Sequence, residues 1–256
     1  MIQIVPISIF KDNYVWTLID NDQQNAIIVD PGEAEAVSAF LKQRQLNLVA
    51  ILITHHHWDH TNGIKQLASA AKQGVFGPTH ENISGMTHAL KANDRIRLKN
   101  FPIEFQIIEI PGHTKGHIAF HFSNGVFCGD TLFAAGCGRL FEGTAEQMFN
   151  SLQKLSALGE STQIYCAHEY TLNNLRFAKI VEPSNDNIKK RYDQAAICRQ
   201  KKMPTLPSTL QLEKETNPFL RCHVLDVIAN VERFANRKLH DPIEVFTWLR
   251  RWKDEF

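Results

Sequence analysis

The sequence predicts an α/β protein in two parts, a mixed strand-and-helix portion over residues 1–170 and a small all-α portion over residues 171–256. Three observations predict it. Short apolar runs rich in branched residues recur as far as Ala167, and several of them end on a histidine or an aspartate. After His168 such runs stop and apolar residues return at helical spacing. The formal charge changes sign at the same place, −4 over residues 1–170 and +5 over residues 171–256.

In chain order, Ile2–Phe10, Tyr14–Ile19 and Ala26–Val29 read as strands, with Asp20-Asn21-Asp22 as a turn. Asp30-Pro31-Gly32 breaks the run, and Ala34, Val37, Phe40 and Leu41 follow at helical spacing. Leu48–Ile53 is a buried strand. Ile64, Leu67, Ala68 and Ala71 mark a second helix, and Val75-Phe76-Gly77 a short strand. Gly85 to Asn100 is too weakly periodic to support an assignment. Ile103–Ile110, Ile118–Phe122 and Val126–Cys128 read as strands, the last two joined at Ser123-Asn124-Gly125. Thr144-Ala145-Glu146-Gln147 fits a capping box, so a helix starts there with Phe149, Leu152 and Leu155 inward. Ile164–Ala167 is the last clear strand.

Beyond it, Leu172, Leu175 and Ala178 form one helical stripe, and Ile188, Tyr192 and Ala195 another. Pro204 and Pro207 break the pattern, which predicts an extended segment up to Asn217-Pro218-Phe219. Val227, Ile228, Val231 and Phe234 make a further helix. Asp241-Pro242 starts the last one, with Val245, Phe246, Leu249 and Trp252 as its apolar stripe.

The chemistry is concentrated after the strand Leu48–Ile53. His55, His56, His57, Asp59 and His60 crowd into six positions. Side chains alternate along an extended segment, so His55 and His57 point one way and His56 the other. Past them the chain must turn, which brings Asp59 and His60 to the same neighbourhood. Imidazole and carboxylate suit zinc, iron or manganese, and H-x-H-x-D-H supplies two pairs of ligands, enough to begin two adjacent sites. A merely polar, histidine-rich loop is the alternative. The context opposes it: Pro111-Gly112-His113-Thr114-Lys115-Gly116-His117, Cys128-Gly129-Asp130-Thr131 and Ala167-His168-Glu169 each follow a strand-like run, where the loops at one sheet edge gather.

With T-H-x-H-x-D-H, G-H-T-x-G-H, C-G-D-T and A-H-E in this order, the sequence resembles the metallo-β-lactamase superfamily. More narrowly it resembles the glyoxalase II (hydroxyacylglutathione hydrolase) family, on Gly136 to Thr144, His168 to Asn174, Glu213 to Arg221 with Asn217-Pro218-Phe219, and Arg250-Arg251-Trp252-Lys253-Asp254. The resemblance covers essentially the whole chain. It implies an αββα sandwich, residues 1–170, that binds metal and catalyses, followed by a small all-α substrate-binding domain, residues 171–256. It implies two divalent ions, zinc first with iron or manganese possible in its place. His55, His57 and His113 would hold one, Asp59, His60 and His168 the other, and Asp130 and a hydroxide would bridge them. Such a pair lowers the pKa of a bridging water and polarises a carbonyl. Asp59 could also orient the hydroxide. The implied reaction is hydrolysis of S-(2-hydroxyacyl)glutathione, naturally S-D-lactoylglutathione, to glutathione and D-lactate, the second step of methylglyoxal detoxification. The family grips the glutathione carboxylate with an R-x-x-K pair, here Arg250 and Lys253. Their other reading is a solvated basic face. Tyr170 matches the family's substrate tyrosine. Arg139 and Phe141 stand where some members have Lys and Tyr, so a charge is kept and a hydroxyl lost.

Other residues take lesser roles. His117 supports its loop, and His80, His88, His121, His223 and His240 lack ligand spacing. Asp30 either closes a turn or holds a ligand histidine through a hydrogen bond. Trp58 is read as packing. The five cysteines, scattered and never in a C-x-x-C pair, suggest reduced thiols in the cytoplasm. Met1–Val5 lacks the features of a secretory signal, and no apolar run is long enough for a membrane span. A net charge of +1 suggests no nucleic-acid partner, and the chain is expected to be a monomer. Three readings compete with the thioesterase: a sulfur-dioxygenase-like iron protein acting on glutathione persulfide, a phosphodiesterase or RNase, and a non-catalytic metal-binding module. The phosphodiesterase reading lacks a long basic arm, and the complete ligand set argues against the module.

Overall fold

A computed structural model describes residues 2–256, which fold as two compact units. The first comprises residues 2–109 with Lys115–Gly129, the second Ile110–Thr114 with Asp130–Phe256. The change of composition near residue 170 falls inside the second unit.

The first unit is built on a sheet whose strands lie side by side in chain order: β1 (Ile2–Ile9), β2 (Asn13–Asp20), β3 (Asn25–Val29), β4 (Asn47–Leu52), β5 (Val75–Pro78) and β6 (His88–Leu90). β1, β2 and β3 pair antiparallel; β3 to β6 pair parallel. A parallel step needs a crossover, and α1 (Ala34–Arg44) supplies the one between β3 and β4. Its Val37 and Leu41 pack with Ile28, Ile51 and Val75 in the core of this unit. Between β4 and β5 come only the short helices α2 (Trp58–Thr61) and α3 (Ile64–Leu67). The second of these is shorter than the spacing up to Ala71 predicts, because the chain turns at Ala68–Gly74 to regain the sheet. β7 (Arg95–Arg97), β8 (Glu104–Glu109), β9 (Ile118–Phe122) and β10 (Gly125–Gly129) form an antiparallel meander. The segment from Gly85 to Asn100, which supports no assignment from sequence, thus holds β6 and β7, three residues each. Strands so short carry no measurable period.

The second unit opens with a hairpin, β11 (Leu132–Phe133) and β12 (Gly136–Cys137), and α4 (Ala145–Ser156). The capping box forms: Gln147 N–H donates to Thr144 Oγ1 at 3.1 Å, and Thr144 N–H to Gln147 Oε1 at 2.9 Å. The buried face of α4 is Met148, Leu152 and Leu155; Phe149 is half-buried, edge-on to Phe246. β13 (Gln163–Cys166) pairs with β14 (Ser208–Thr209). α5 (Thr171–Val181) and α6 (Asp186–Gln200) meet through Leu175, Ala178, Ile188 and Ala195. An extended chain before Asn217 is not what forms. Thr209 caps a helix, α7 (Leu210–Thr216), accepting from Leu212 N–H at 3.2 Å, and Leu210, Glu213 and Thr216 are its buried side. Two of those three are polar, so apolar periodicity could not reveal it. A 3-10 turn at Pro218–Leu220, then α8 (Leu225–Ala235) and α9 (Pro242–Glu255), complete the unit. Among the described residues no helix is long and apolar enough to cross a membrane.

Candidate metal centre and substrate cavity

In the first unit the parallel strands place the donors. Val29 of β3 lies opposite Leu52 of β4, so the chain leaves both strands at the same sheet edge. Asp30 leaves β3 in the left-handed region, φ 52°, and its N–H donates to Leu52 O at 2.9 Å. Its carboxylate then faces the metal loop. It accepts from Thr54 N–H (2.8 Å), from the Thr54 hydroxyl (2.7 Å) and from His60 Nδ1 (3.1 Å). Of the two readings of Asp30, the structure supports the one in which its carboxylate holds a histidine, His60.

These bonds fix tautomers. A carboxylate accepts only, so His60 carries its proton on Nδ1 and presents a lone pair at Nε2. Thr54 gives its single hydroxyl proton to Asp30, so its oxygen accepts from His55 Nδ1 at 3.1 Å, and His55 also presents Nε2. His55 Nε2 lies 3.1 Å from His57 Nδ1, and Asp59 Oδ2 lies 3.5 Å from His60 Nε2. Two ring nitrogens that close repel unless a proton or a cation joins them, so the donor set fits a metal ion. Asn13 Nδ2 holds Asp59 Oδ2 at 2.9 Å. His117, fully buried, gives Nδ1–H to its neighbour's carbonyl and stacks on His55 at 4.6 Å, in the supporting role expected of it. Gly129 is required: at φ 48°, a Cβ there would lie 2.3 Å from Thr54 Oγ1 and 2.8 Å from the His117 ring.

His56 turns instead to Glu81, Nδ1 to Oε2 at 3.0 Å. His56→Ala is expected to retain the parent's metal content; elemental analysis showing a lost equivalent would make it a ligand. Trp58 packs, but at the surface. It is 65% exposed and leans on Phe10, 46% exposed, with ring centroids 5.1 Å apart. The one-turn helix that carries Trp58 turns its neighbour His60 inward and leaves the indole outside. His80, His88, His223 and His240 are exposed and His121 is half-buried.

The second unit brings its own donors together. His113 Nε2 and His168 Nε2 lie 3.5 and 3.3 Å from Asp130 Oδ2. His113 gives Nδ1–H to Arg139 O at 2.9 Å, which again leaves Nε2 as the donor atom. Tyr170 stacks on the His168 ring at 4.7 Å and 6°, and Phe133 meets both rings edge-on.

His113 and Asp130 also line a cavity of about 490 Å³ within this unit. Its wall carries every substrate residue expected from the sequence, Arg139, Tyr170, Arg250 and Lys253, together with Cys137, Phe141, Asn173, Asn174 and Asp254. Arg250 and Lys253 are not a solvated face. Arg250 is 4% exposed, lies over the Phe219 ring, and donates to Cys137 O (2.8 Å) and Asp254 Oδ1 (3.0 Å). A buried guanidinium persists because it is paired and bonded on several sides. Arg139 Nε lies 3.6 Å from the same Asp254 carboxylate. Lys253 is half-buried over the Phe177 and Phe256 rings, and burial, helped by the neighbouring Arg250 and Arg139 charges, pulls its ammonium down to about 8. Burial pushes the Cys137 thiol up to about 11. Phe141 is 64% exposed, edge-on to His113 at 5.3 Å.

Sequence reasoning missed the residues that hold this wall. Between β11 and β12, Ala135 adopts φ 54°, a left-handed conformation that costs a non-glycine residue about 1–2 kcal/mol. Its N–H donates to Glu213 Oε2 at 2.8 Å. Asn174 is on α5, Glu213 on α7 and Asn217 between α7 and the 3-10 turn; all three fall in segments that carry the family resemblance, but nothing local in the sequence assigns them this role.

Residues 11–168 match the family model of the metallo-beta-lactamase superfamily, and residues 169–256 that of the hydroxyacylglutathione hydrolase C-terminus. Curated relatives named hydroxyacylglutathione hydrolase include one from Nitrosomonas europaea, 50% identical over 100% of this chain and 97% of its own length, and one from Alkalilimnicola ehrlichii, 49% identical over 100% of both. Among solved structures, ETHE1 from Myxococcus xanthus aligns with a TM-score of 0.66 at 21% identity over 99% of this chain and 98% of its own. The BLEG-1 B3 metallo-beta-lactamase aligns at 0.62 and 21% identity over 86% and 99%. At that identity the likeness is one of fold: α/β, metallo-β-lactamase-like, followed by a helical C-terminal region.

Proposed function

The chain belongs to the hydroxyacylglutathione hydrolase family of the metallo-β-lactamase superfamily, and from that membership we propose that it hydrolyses S-(2-hydroxyacyl)glutathione, with S-D-lactoylglutathione the natural substrate, releasing glutathione and D-lactate in the second step of methylglyoxal detoxification. Membership makes it an enzyme, a thiolester hydrolase. The observation that carries the substrate reading is the cavity: His113 and Asp130 share its wall with Arg139, Arg250 and Lys253. A thioester joined to an anionic peptide needs both.

In this reading residues 1–170 are the metal-binding catalytic domain and residues 171–256 the substrate-binding domain. His55, His57 and His113 would hold one divalent ion, Asp59, His60 and His168 a second, and Asp130 would serve both. Zinc, iron and manganese all accept this donor set, zinc being the first expectation. Two such ions, when bound, supply a water that is deprotonated at neutral pH and positive charge for a developing oxyanion. The chain's own groups do the rest. Asp30 and the Arg139 carbonyl hold a ring proton on Nδ1 of His60 and His113, so in the neutral rings Nε2 is the nitrogen with the lone pair. Arg250, Lys253 and Arg139 hold the carboxylates of glutathione, a part of the substrate that does not react. A thiol is acidic enough, with a pKa of about 8.5, to leave without a dedicated general acid. The cysteines, none in a disulfide, fit a reducing cytoplasm, and the active species is taken as a monomer.

The test is thiol release from S-D-lactoylglutathione together with elemental analysis of the purified protein. Turnover with about two metal equivalents, abolished by chelation, is expected. Oxygen uptake with glutathione persulfide in place of thiol release would favour the dioxygenase reading, against which the match of residues 169–256 stands.

Lys253 makes the reading sensitive to pH. Its ammonium is charged below about 8 and neutral above, and only the charged form attracts a carboxylate. kcat/KM for lactoylglutathione, which reports the free enzyme, is therefore expected to fall as pH rises through about 8. In Lys253→Arg the fall should vanish up to pH 10, because a guanidinium keeps its charge there. Identical profiles for the two proteins would remove Lys253 from the binding step.

A further inference from the structure

The hairpin β11–β12 is held from behind by side chains of the helical segments. Asn174 Nδ2 donates to Ala134 O at 3.0 Å. Asn217 Nδ2 reaches Gly136 O at 2.9 Å, Phe133 O at 3.1 Å and Glu213 Oε2 at 3.0 Å. Glu213 Oε2 also accepts the Ala135 N–H, while its Oε1 accepts from Arg191 and Ser208. Glu213 and Asn217 are both 0% exposed.

So much polarity in a core is a poor route to stability, since well-packed apolar side chains serve as well or better. What it does deliver is a fixed backbone. The hairpin needs that, because its Phe133 and Cys137 line the cavity. Phe133 lies against His168 and Tyr170, and the Cys137 carbonyl receives the Arg250 guanidinium. Two residues on is Arg139.

We propose that Glu213 and Asn217 are positioning residues for the anion-binding wall: they lock the hairpin so that the Cys137 carbonyl presents Arg250 to the substrate. The inference rests on reading the cavity as the glutathione site. It makes residues with no contact to the substrate determinants of its affinity.

The variant of choice is Asn217→Ser. A serine keeps the cap that Asn217 Oδ1 provides to Phe219 N–H and removes the amide that reaches the hairpin. Glu213→Gln, which keeps shape and one acceptor oxygen, is the second. Val37→Ala, in the core of the first unit, is the control for lost stability alone. The metal-loaded proteins are titrated calorimetrically with glutathione, which does not react, and then assayed on lactoylglutathione. Asn217→Ser is expected to bind glutathione about tenfold more weakly and to raise KM by the same factor, with kcat within about twofold of the parent, because only contacts common to ground and transition states are disturbed. Glu213→Gln should move in the same direction, and Val37→Ala should lower Tm without changing glutathione affinity. Parent-like affinity in a folded, metallated Asn217→Ser or Glu213→Gln overturns the proposal, as does an equal loss of affinity in Val37→Ala. Thiol release by a parent that does not bind glutathione would spare the thioesterase and overturn the wall. A parent with neither property overturns the functional reading and this inference together.

Discussion

Asp130→Ala is expected to lose metal and turnover together. Both His113 and His168 approach the same Asp130 oxygen, at 3.5 and 3.3 Å, and in the proposed centre these histidines belong to different ions. Removing the carboxylate takes a ligand from each. It also leaves neighbouring positive charges without the anion that offsets them, and like charges a few ångströms apart in a dry site repel strongly. Metal content should fall from about two equivalents to one or fewer. Activity should fall by on the order of 10³ or more, corresponding to several kcal/mol of transition-state stabilisation. Elemental analysis and thiol release on the same preparation check both. A variant that keeps both ions and parental turnover would show that Asp130 bridges nothing.

The double variant Arg250→Ala/Lys253→Ala should raise KM for lactoylglutathione steeply and leave kcat nearly unchanged. Both residues would hold a part of the substrate that does not react, so their contribution is the same before and during the reaction. Charge-assisted bonds contribute about 1.5–3 kcal/mol each, roughly ten- to a hundredfold in binding. Half-buried Lys253 should sit at the low end, since solvent screens it. Arg250, 4% exposed, should sit at the high end. Its removal also strands the Cys137 carbonyl, a further cost to stability of about 1–3 kcal/mol, so Tm must be measured beside KM. Added salt should raise the parent's KM more than the variant's. A short thioester without the glutathione carboxylates should be a poor substrate for both proteins and indifferent to the change. An unaltered KM for lactoylglutathione in the folded, metallated double variant would detach these residues from the substrate.

What could be read from the chain, and what could not, follows from how far apart the interacting residues lie. The candidate donors His55 and His57 are legible from alternation at a strand end, and Asp59 and His60 from the turn that must follow it, both of them local effects. The strands β1 to β5 are legible as short apolar runs, and the helices α1, α4, α5, α6, α8 and α9 because each carries apolar residues at helical spacing. α7 is not, since Glu213 and Thr216 are polar residues buried for their partners, Arg191 on α6 and, for Glu213, Ser208 just before the helix. Arg250 misleads for the same reason: helical spacing places it beside Lys253 on a surface, and the carbonyl that buries it belongs to residue 137. Trp58 packs, on Phe10, but that the contact lies at the surface depends on the turn that carries it.

Cys137 has a consequence for the redox life of the protein. It lines a cavity that, on the proposed reading, releases a thiol at every turnover, in a compartment where that thiol and its disulfide coexist. Thiol–disulfide exchange requires a thiolate. With its pKa held at about 11 by burial, Cys137 is ionised at neutral pH to only about one part in 10⁴. Exchange at this sulfur is therefore slow, and the cavity can take up glutathione and its oxidised form with little covalent capping.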